Sequence, residues 1–458
     1  MKVIILGAGQ VGTTIAENLS EDHDITVVDL DADCLLQLQG RLDIRTIVGS
    51  ATYPKVLEDA GAQDADMLVA VTDDDASNIV ACQVAFSLFK TPNKVARVRA
   101  RELSSYEELF KPGNIAIDTI INPAHLVTQR LKQQIDHPGT QMLLNFAENK
   151  LQMASIRAIP PHPLIGRRLL ELVQDTVDHQ VVFTGILRSG RVIMPREETI
   201  IEPHDELFYC MPTEHTNAVT SLLTGRETKY RRIMVAGGGN IGVALAQSLE
   251  LDYKVKLLER DPKQAEHAAE ALKDTVVLVG DVSDTDLLQS ENIDEADLFV
   301  SVTNDDEANI MSAILAKRLG AKNTIALVNR QTYAHYLIER SPDIDLAISP
   351  QRITGGKILT YLRKGDIVNL YPMPRSSAEA IEVIAHGDSK VSKLIGRPLH
   401  KVRLPEQTRV CAVYREQQVI MADDDLTIEE GDHVVMFIGN KAVIPEIEKL
   451  FQVAPTFL

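Results

Sequence analysis

Glycines at Gly7, Gly9 and Gly12 stand in KVIILGAGQVG, and glycines at Gly237, Gly239 and Gly242 stand in RIMVAGGGNIG. Each triplet follows a short apolar run and opens a stretch of helical character, the setting in which G-x-G-x-x-G holds a pyrophosphate. The first glycine permits a tight turn, the second lets phosphate approach the backbone, and the third lets the helix pack close to the strand. Ala8, Gln10 and Val11 in the first loop, and Gly238, Asn240 and Ile241 in the second, add backbone N–H groups at a helix start. Free donors and the helix dipole favour an anion there.

A single triplet of this kind arises by chance in turns. Here each is followed by a second apolar run ending in an acid, DITVVD at Asp29 and KVKLLE at Glu259. Both acids lie 22 residues after the first glycine (29 − 7 and 259 − 237). That is close to the spacing of about 20 at which a carboxylate accepts hydrogen bonds from ribose hydroxyls. A solvated strand end is the simpler reading of either acid, and the glycines make it the weaker one. Two dinucleotide or adenine-nucleotide sites are expected.

The elements that must position these groups alternate. After the first loop the pattern predicts a helix over 11–19, a strand over 25–28, a helix over 32–39 and a strand RTIVG closing at Gly49 and Ser50. A helix over 53–60 follows, then DADMLVAVT, which opens onto Thr72, Asp73 and Asp74, then a long helix to about 89 and the strand KVARVRA with Arg97 and Arg99. The second copy repeats the stations: VVLVGD supplies Gly280 and Asp281, ADLFVSVTNDDEAN supplies Thr303, Asn304 and Asp305, and TIALVNR answers KVARVRA. The offset stays near 230 (237 − 7 = 230; 303 − 72 = 231), so the chain is a tandem duplication. Repeated β-α units give a doubly wound parallel sheet, whose ligands bind beyond the carboxyl ends of the strands at the switch point. The expected fold class is therefore α/β, with two Rossmann-like domains.

Two shorter segments also match each other. Asn122-Pro123 and Ser349-Pro350 each precede an amphipathic helix, over 124–135 and 353–363, and small α+β modules follow at about 140–225 and 366–458. PLIGRRL answers KLIGRPL, GRVIMP answers QQVIMA, and EPHDELFYC answers EEGDHVVMF around Asp205 and Asp432. The expected division is 1–123 and 226–350 for the nucleotide domains, and 124–225 and 351–458 for the modules with their connecting helices. The polar stretch TGRETKYR joins the halves.

Composition bounds the partners. A chain of 458 residues with 45% apolar side chains is expected to make several domains. Its net charge of −18 would repel the phosphates of a nucleic acid. Cys34, Cys82, Cys210 and Cys411 show no C-x-x-C spacing and read as small core residues in a reducing cytoplasm. No metal site is indicated. No apolar run approaches the roughly 18 residues of a membrane helix, and Met1 leads directly into a strand, so a cytoplasmic protein without a signal peptide is expected.

GAGQVG, ITVVD, DADMLVAVT and ACQVA, together with the order of nucleotide domain, module, nucleotide domain, module, resemble the tandem RCK (regulator of potassium conductance) proteins that serve bacterial potassium transporters. The resemblance spans essentially the whole chain. It implies a peripheral regulatory subunit at the cytoplasmic face of the inner membrane, and a homotetramer whose eight nucleotide domains form a ring beneath an integral-membrane potassium transporter subunit. It also implies that NAD(H) and ATP or ADP are ligands that change the ring's shape.

The competing class is an NAD-dependent dehydrogenase with two Rossmann domains, which needs a substrate domain and a proton-transfer group near the nicotinamide. His162, His179, His204, His215, His386, His400 and His433 fall among turns with no acid partner at a recognisable spacing, so catalysis is not expected. A structural protein that keeps the glycines without a ligand is disfavoured by Asp29 and Glu259. The two copies differ at one station: Arg97 and Arg99 share a strand face by alternation, and Leu327 and Asn329 replace them in the second. ATP or ADP is therefore expected at the first site, where guanidinium groups can bind phosphate bidentately, and the second is expected to prefer NAD(H) or to bind weakly. The simpler reading is that Arg97 and Arg99 only pair with nearby carboxylates such as Asp73 and Asp74.

Overall fold

A computed structural model describes residues 1–20, 23–100, 103, 106–111, 113–225, 229–330, 333, 343–362, 367–373, 376–387, 392 and 394–451. The chain divides into two compact units, and like repeats group together. One unit is Met1–Lys132 with Arg231–Leu362, and the other is Gln133–Tyr230 with Arg363–Leu458. Within the expected joining stretch, residues 226–228 lie outside the described residues, as does residue 363 at the end of the second connecting helix.

The first unit holds two six-stranded parallel sheets. In the first repeat the strands are β1 (Lys2–Leu6), β2 (Asp24–Asp29), β3 (Arg45–Val48), β4 (Met67–Ala70), β5 (Asn93–Arg97) and β6 (Thr119–Ile121). They lie in the order β3-β2-β1-β4-β5-β6, so the switch point falls at the end of β1, beside the first glycine loop. The central strands β1 and β4 are apolar on both faces and buried, as helices covering both sides require.

The other unit contributes β7 (Met142–Phe146), β8 (Leu151–Arg157), β9 (Val182–Arg188), β10 (Arg191–Ile193) and β11 (Glu206–Pro212). The second repeat of the first unit has β12 (Arg232–Ala236), β13 (Lys254–Glu259), β14 (Val276–Val279), β15 (Leu298–Ser301), β16 (Thr324–Leu327) and β17 (Leu346–Ile348), in the order β14-β13-β12-β15-β16-β17. Both Rossmann-like sheets of the expected fold class are therefore present.

One helical stretch is a residue longer in the first repeat than in the second. The offset is 231 at Asn78 and Asn309, but 230 at Arg97 and Leu327, whose carbonyls accept from those two asparagines. The extra residue is absorbed by a π-helical turn, Ala85–Phe89, that continues the helix Asp75–Val84. Such turns are how an α-helix takes up an insertion. The matching helix Asp306–Arg318 is regular.

The helices Pro123–Asp136 and Pro350–Leu362 leave the two sheets. Ile358 of the second joins the buried core of the first repeat beside Val3, Ile15 and Ile121. Val127 and Leu131 of the first are fully buried within the single chain, so they give no reason for a second copy to cover them.

In the second unit, β18 (Ile367–Pro372), β19 (Glu379–Ile384), β20 (Thr408–Arg415), β21 (Gln418–Met421) and β22 (His433–Ile438) form an antiparallel sheet ordered β18-β19-β22-β20-β21, and its fellow is ordered β10-β9-β11-β8-β7. The two share one core in which the rings of Phe208 and Phe437 pack with centroids 5.5 Å apart and planes tilted by 36°. Gly185 makes room, since a Cβ there would lie 2.6 Å from the Phe437 ring. Two expectations fail here and in the first unit. His433 does have an acid partner, because Nδ1 lies 2.8 Å from buried Glu382, a pairing across strands that spacing along the chain does not reveal. Cys34 is only half-buried rather than core, with its thiol donating to Asp31 at 3.3 Å, because the short helix Ala32–Gln39 turns that face outward.

Candidate nucleotide sites

At each switch point the strand, turn and helix follow from the glycines. Gly7 and Gly237 adopt φ of +107° and +111°, a region that L side chains rarely enter. A Cβ at Gly12 or Gly242 would sit 1.8 Å from the carbonyl oxygen of Gly7 or Gly237, so any side chain there would force loop and helix apart. Gly9 and Gly239 have nothing within 4 Å of a notional Cβ. They cap the helices Gln10–Leu19 and Asn240–Leu249 in extended conformation, without a side-chain cap. The result is open space in front of unsatisfied helix N–H groups, the environment an anion requires.

The stations read from the sequence converge on these loops. Gly49 N–H donates to the Asp29 carbonyl and Gly280 N–H to the Glu259 carbonyl, both at 2.9 Å. Asp29 Oδ2 accepts from Ala8 N–H at 2.5 Å and Oδ1 from Asp31 N–H at 2.9 Å. Glu259 accepts from Gly238 N–H at 2.6 Å and from Asp261 N–H at 2.8 Å. Each carboxylate is thus fixed against its own glycine loop, with lone pairs to spare for hydroxyl donors. On the other side, Thr72 and Thr303 back the first glycine, since their nitrogens lie 3.0 Å from a notional Cβ on Gly7 and Gly237.

Several residues of the stations serve the loops themselves. Asp74 caps its helix by accepting from Ser77 N–H at 2.7 Å, and Asp305 does the same from Ala308 N–H at 2.8 Å. The hydroxyl and backbone N–H of Ser77 hold the Asp74 carboxyl below the usual range. Asp281 closes a turn on Ser283 N–H and Oγ at 2.8 and 2.7 Å. Ser50 Oγ lies 2.9 Å from Thr52 Oγ1. Asp73 and Asn304 are exposed at the rims.

The arginine station needs correction. β5 stops at Arg97, so strand alternation does not place Arg99. Its backbone is held instead by Asp75, which accepts from the N–H groups of Arg99 and Ala100, each at 2.8 Å. The Arg99 side chain is half-exposed and only loosely paired, 3.6 Å from Asp75. Arg97 donates through Nη2 to the Thr72 carbonyl at 2.6 Å, and its Nε has no partner. Burial pushes the Arg97 guanidinium below its usual pKa, with the charge of Arg99 adding to that. Among the described residues the direct partners of the two arginines are the Thr72 carbonyl and Asp75, while Asp73 and Asp74 act on them only through their charge. The second copy puts Leu327 and Asn329 at these stations, with Asp306 accepting from Asn329 and Arg330 N–H at 2.8 and 2.7 Å.

Sequence reading missed two residues that hold each crevice together. Buried Asn78 accepts from Thr72 N–H at 3.0 Å and donates to the Thr72 and Arg97 carbonyls at 3.1 and 3.0 Å. Asn309 does the same at 2.8, 3.0 and 3.0 Å with Thr303 and Leu327. One amide thus clamps the ends of two adjacent strands. The signal was the same asparagine at matching positions of both repeats.

Fold and site together define a duplicated Rossmann-type nucleotide-binding architecture with appended antiparallel modules. Comparison with known proteins agrees: the TrkA-N domain matches residues 3–123 and 233–350, and the TrkA-C domain matches 153–224 and 390–452. The Trk system potassium uptake protein TrkA of Vibrio alginolyticus is 48% identical over 460 residues, with all of both chains covered. Those of Halomonas elongata and Haemophilus influenzae are 46% and 44% identical over the same span. The chain belongs to the TrkA family of Trk-system potassium uptake proteins. These relatives are named for potassium uptake and not for a dehydrogenase reaction. Among solved structures, the GsuK channel bound to NAD superposes with a TM-score of 0.60 at 19% identity, covering 98% of this chain and 78% of that one. The GsuK RCK domain gives the same TM-score and identity, with 94% of that chain covered. At this identity the likeness concerns the fold.

Proposed function

We propose that the chain is a nucleotide-sensing regulatory subunit that controls a membrane potassium transporter and performs no chemistry of its own. The observation that carries this reading is the pair of open glycine loops, each facing a helix start and flanked by a fixed carboxylate, in a chain of the potassium uptake family. In the proposed sites the pyrophosphate rests on the N–H groups around Gly9 to Val11 and Gly239 to Ile241. Ribose hydroxyls donate to Asp29 and Glu259, and Gly49, Ser50, Gly280 and Asp281 border the base. Thr72 to Asp74 and Thr303 to Asp305 close the opposite wall. ATP or ADP belongs at the first site, where Arg99 can swing from its loose contact to a phosphate, and NAD(H) at the second.

A ligand shifts a conformational equilibrium only by binding one state more tightly than another. Groups drawn from separate strands supply that difference, and the connecting helices after Pro123 and Pro350 are placed to carry the movement. We place the protein at the cytoplasmic face of the membrane, as a homotetramer against an integral-membrane partner. Its negative charge suits the Lys and Arg excess of cytoplasmic loops. Among the described residues no helix is long and apolar enough to cross a membrane. Val80 and Met311, equivalent in the two repeats, are 45% and 63% exposed, which suits a contact repeated around a ring. Nucleotide domains at 1–123 and 226–350 alternate with the modules at 124–225 and 351–458 in this reading.

Calorimetric titration tests the reading. NADH and ATP should bind the purified protein, and light scattering should give a mass near four chains. Incubation with NADH and a panel of carbonyl substrates should leave the cofactor's absorbance unchanged. Steady oxidation abolished by a single side-chain substitution would replace this reading with the dehydrogenase.

A further inference from the structure

The helix Pro350–Leu362 belongs to the second repeat yet lies along the helix Gln10–Leu19 of the first. The approach is close, because a Cβ on Gly355 would sit 3.3 Å from Thr14 Cγ2, and Ile358 is buried in the first repeat's core. One polar side chain sits in this seam. Gln351 is 5% exposed. Its Nε2 donates to Gln10 Oε1, in the first glycine loop, and approaches Asn329 Oδ1 at 3.4 Å. Its Oε1 faces Ser349 Oγ at 3.5 Å. Asn329 in turn donates through Nδ2 to Asp306 Oδ1 at 3.0 Å, and Asp306 starts the helix behind the Thr303 wall of the second crevice.

An unbroken line of hydrogen bonds therefore runs from the residue after Gly9, through Gln351, to the wall of the other site. The reverse line is not built. Pro350 corresponds to Pro123, which puts Ala124 at the station of Gln351, and alanine has no side-chain amide to bridge the second loop to the first crevice.

We propose that Gln351 is a positioning residue shared by both sites, so that a nucleotide bound at one alters the affinity of the other through Gln10 and Asn329. A ligand on the first loop must settle the helix start that Gln10 occupies, and Gln351 fixes where that side chain lies. Movement of the second crevice displaces Asn329, and with it the buried amide that holds Gln10. A buried donor that loses an acceptor costs free energy, and this cost links the two occupancies.

The inference rests on the reading that both loops take nucleotides. It is tested with ATP titrated into the full-length protein, with and without saturating NADH, in the wild type, Gln351→Met and Gln351→Glu. Gly239→Ala, which blocks the second loop, isolates direct competition by NADH at the first site. Beyond that competition, NADH should change ATP affinity at least about fivefold in the wild type, within the usual range for coupled sites. In both Gln351 variants the change should fall within about twofold, whatever the affinity of each nucleotide alone. A change that persists in both variants, or independent sites in the wild type, overturns the proposal. Failure of both nucleotides to bind the wild type overturns the nucleotide reading and this inference with it.

Discussion

The Gly238 N–H donates to Glu259 Oε2 at 2.6 Å, and a Cβ on Gly238 would lie 2.9 to 3.1 Å from the Glu259 side chain. The first repeat makes the same bond from Ala8 to Asp29 at 2.5 Å. The longer acid is paired with the smaller residue, and the Glu259 side chain from Cβ to Oε2 crowds the place where the first loop carries the Ala8 methyl group.

Gly238→Ala should therefore weaken NADH binding at the second site about tenfold, in keeping with about 1–3 kcal/mol for overpacking. Adding Glu259→Asp should recover most of the loss by reproducing the first repeat's pair. Calorimetry on both variants checks this, and an additive second loss would show that the fit does not matter.

Gly9 and Gly12 should respond oppositely to alanine. At Gly12 the Cβ meets a carbonyl oxygen at 1.8 Å, so Gly12→Ala should destabilise the first domain by about 3 kcal/mol or more, as severe steric insertions do. At Gly9 the Cβ meets nothing within 4 Å. Gly9→Ala should thus melt as the wild type does and bind nucleotide poorly at the first site. Calorimetric melting and binding on the two variants separate fold from function.

Arg97→Ala with Arg99→Ala should cut ATP affinity at the first site by up to about 3 kcal/mol, the upper range for charged hydrogen bonds, and leave the Glu259 site unchanged. Unchanged ATP binding would mean that Arg97 only braces the Thr72 carbonyl and Arg99 only faces Asp75.

Asp29 and Glu259 should exclude NADP(H), because a 2′-phosphate would replace the hydroxyl they accept from and repel them. Calorimetry should find NADPH binding at least tenfold more weakly than NADH, a difference of about 1.4 kcal/mol. Equal affinity would remove the ribose role from both acids.

Much of this architecture was legible because the duplication printed each signal twice. The loops, the acids and the succession of strands and helices needed only local periodicity and an offset near 230. What stayed hidden depends on contacts across the fold. Asp75 and Asp306 hold the arginine and asparagine stations from a neighbouring helix, and no pattern along the chain says that Arg99 has left its strand. Glu382 meets His433 only when two strands pair. Gln351 falls outside the helix expected over 353–363, and its place shows only because that helix starts at Pro350 and lies against the other repeat. The π-helical turn was written as a one-residue change of offset, though only the backbone shows where the residue went.

The central claim is that nucleotide occupancy of the two loops controls the membrane partner. The direct measurement is potassium flux into vesicles holding that partner and this protein, with NADH or ATP added, for the wild type and for Gly9→Ala combined with Gly239→Ala. Flux should change with nucleotide in the wild type and lose that dependence in the double variant, which should still bind the partner. Equal nucleotide dependence in both proteins would contradict the claim.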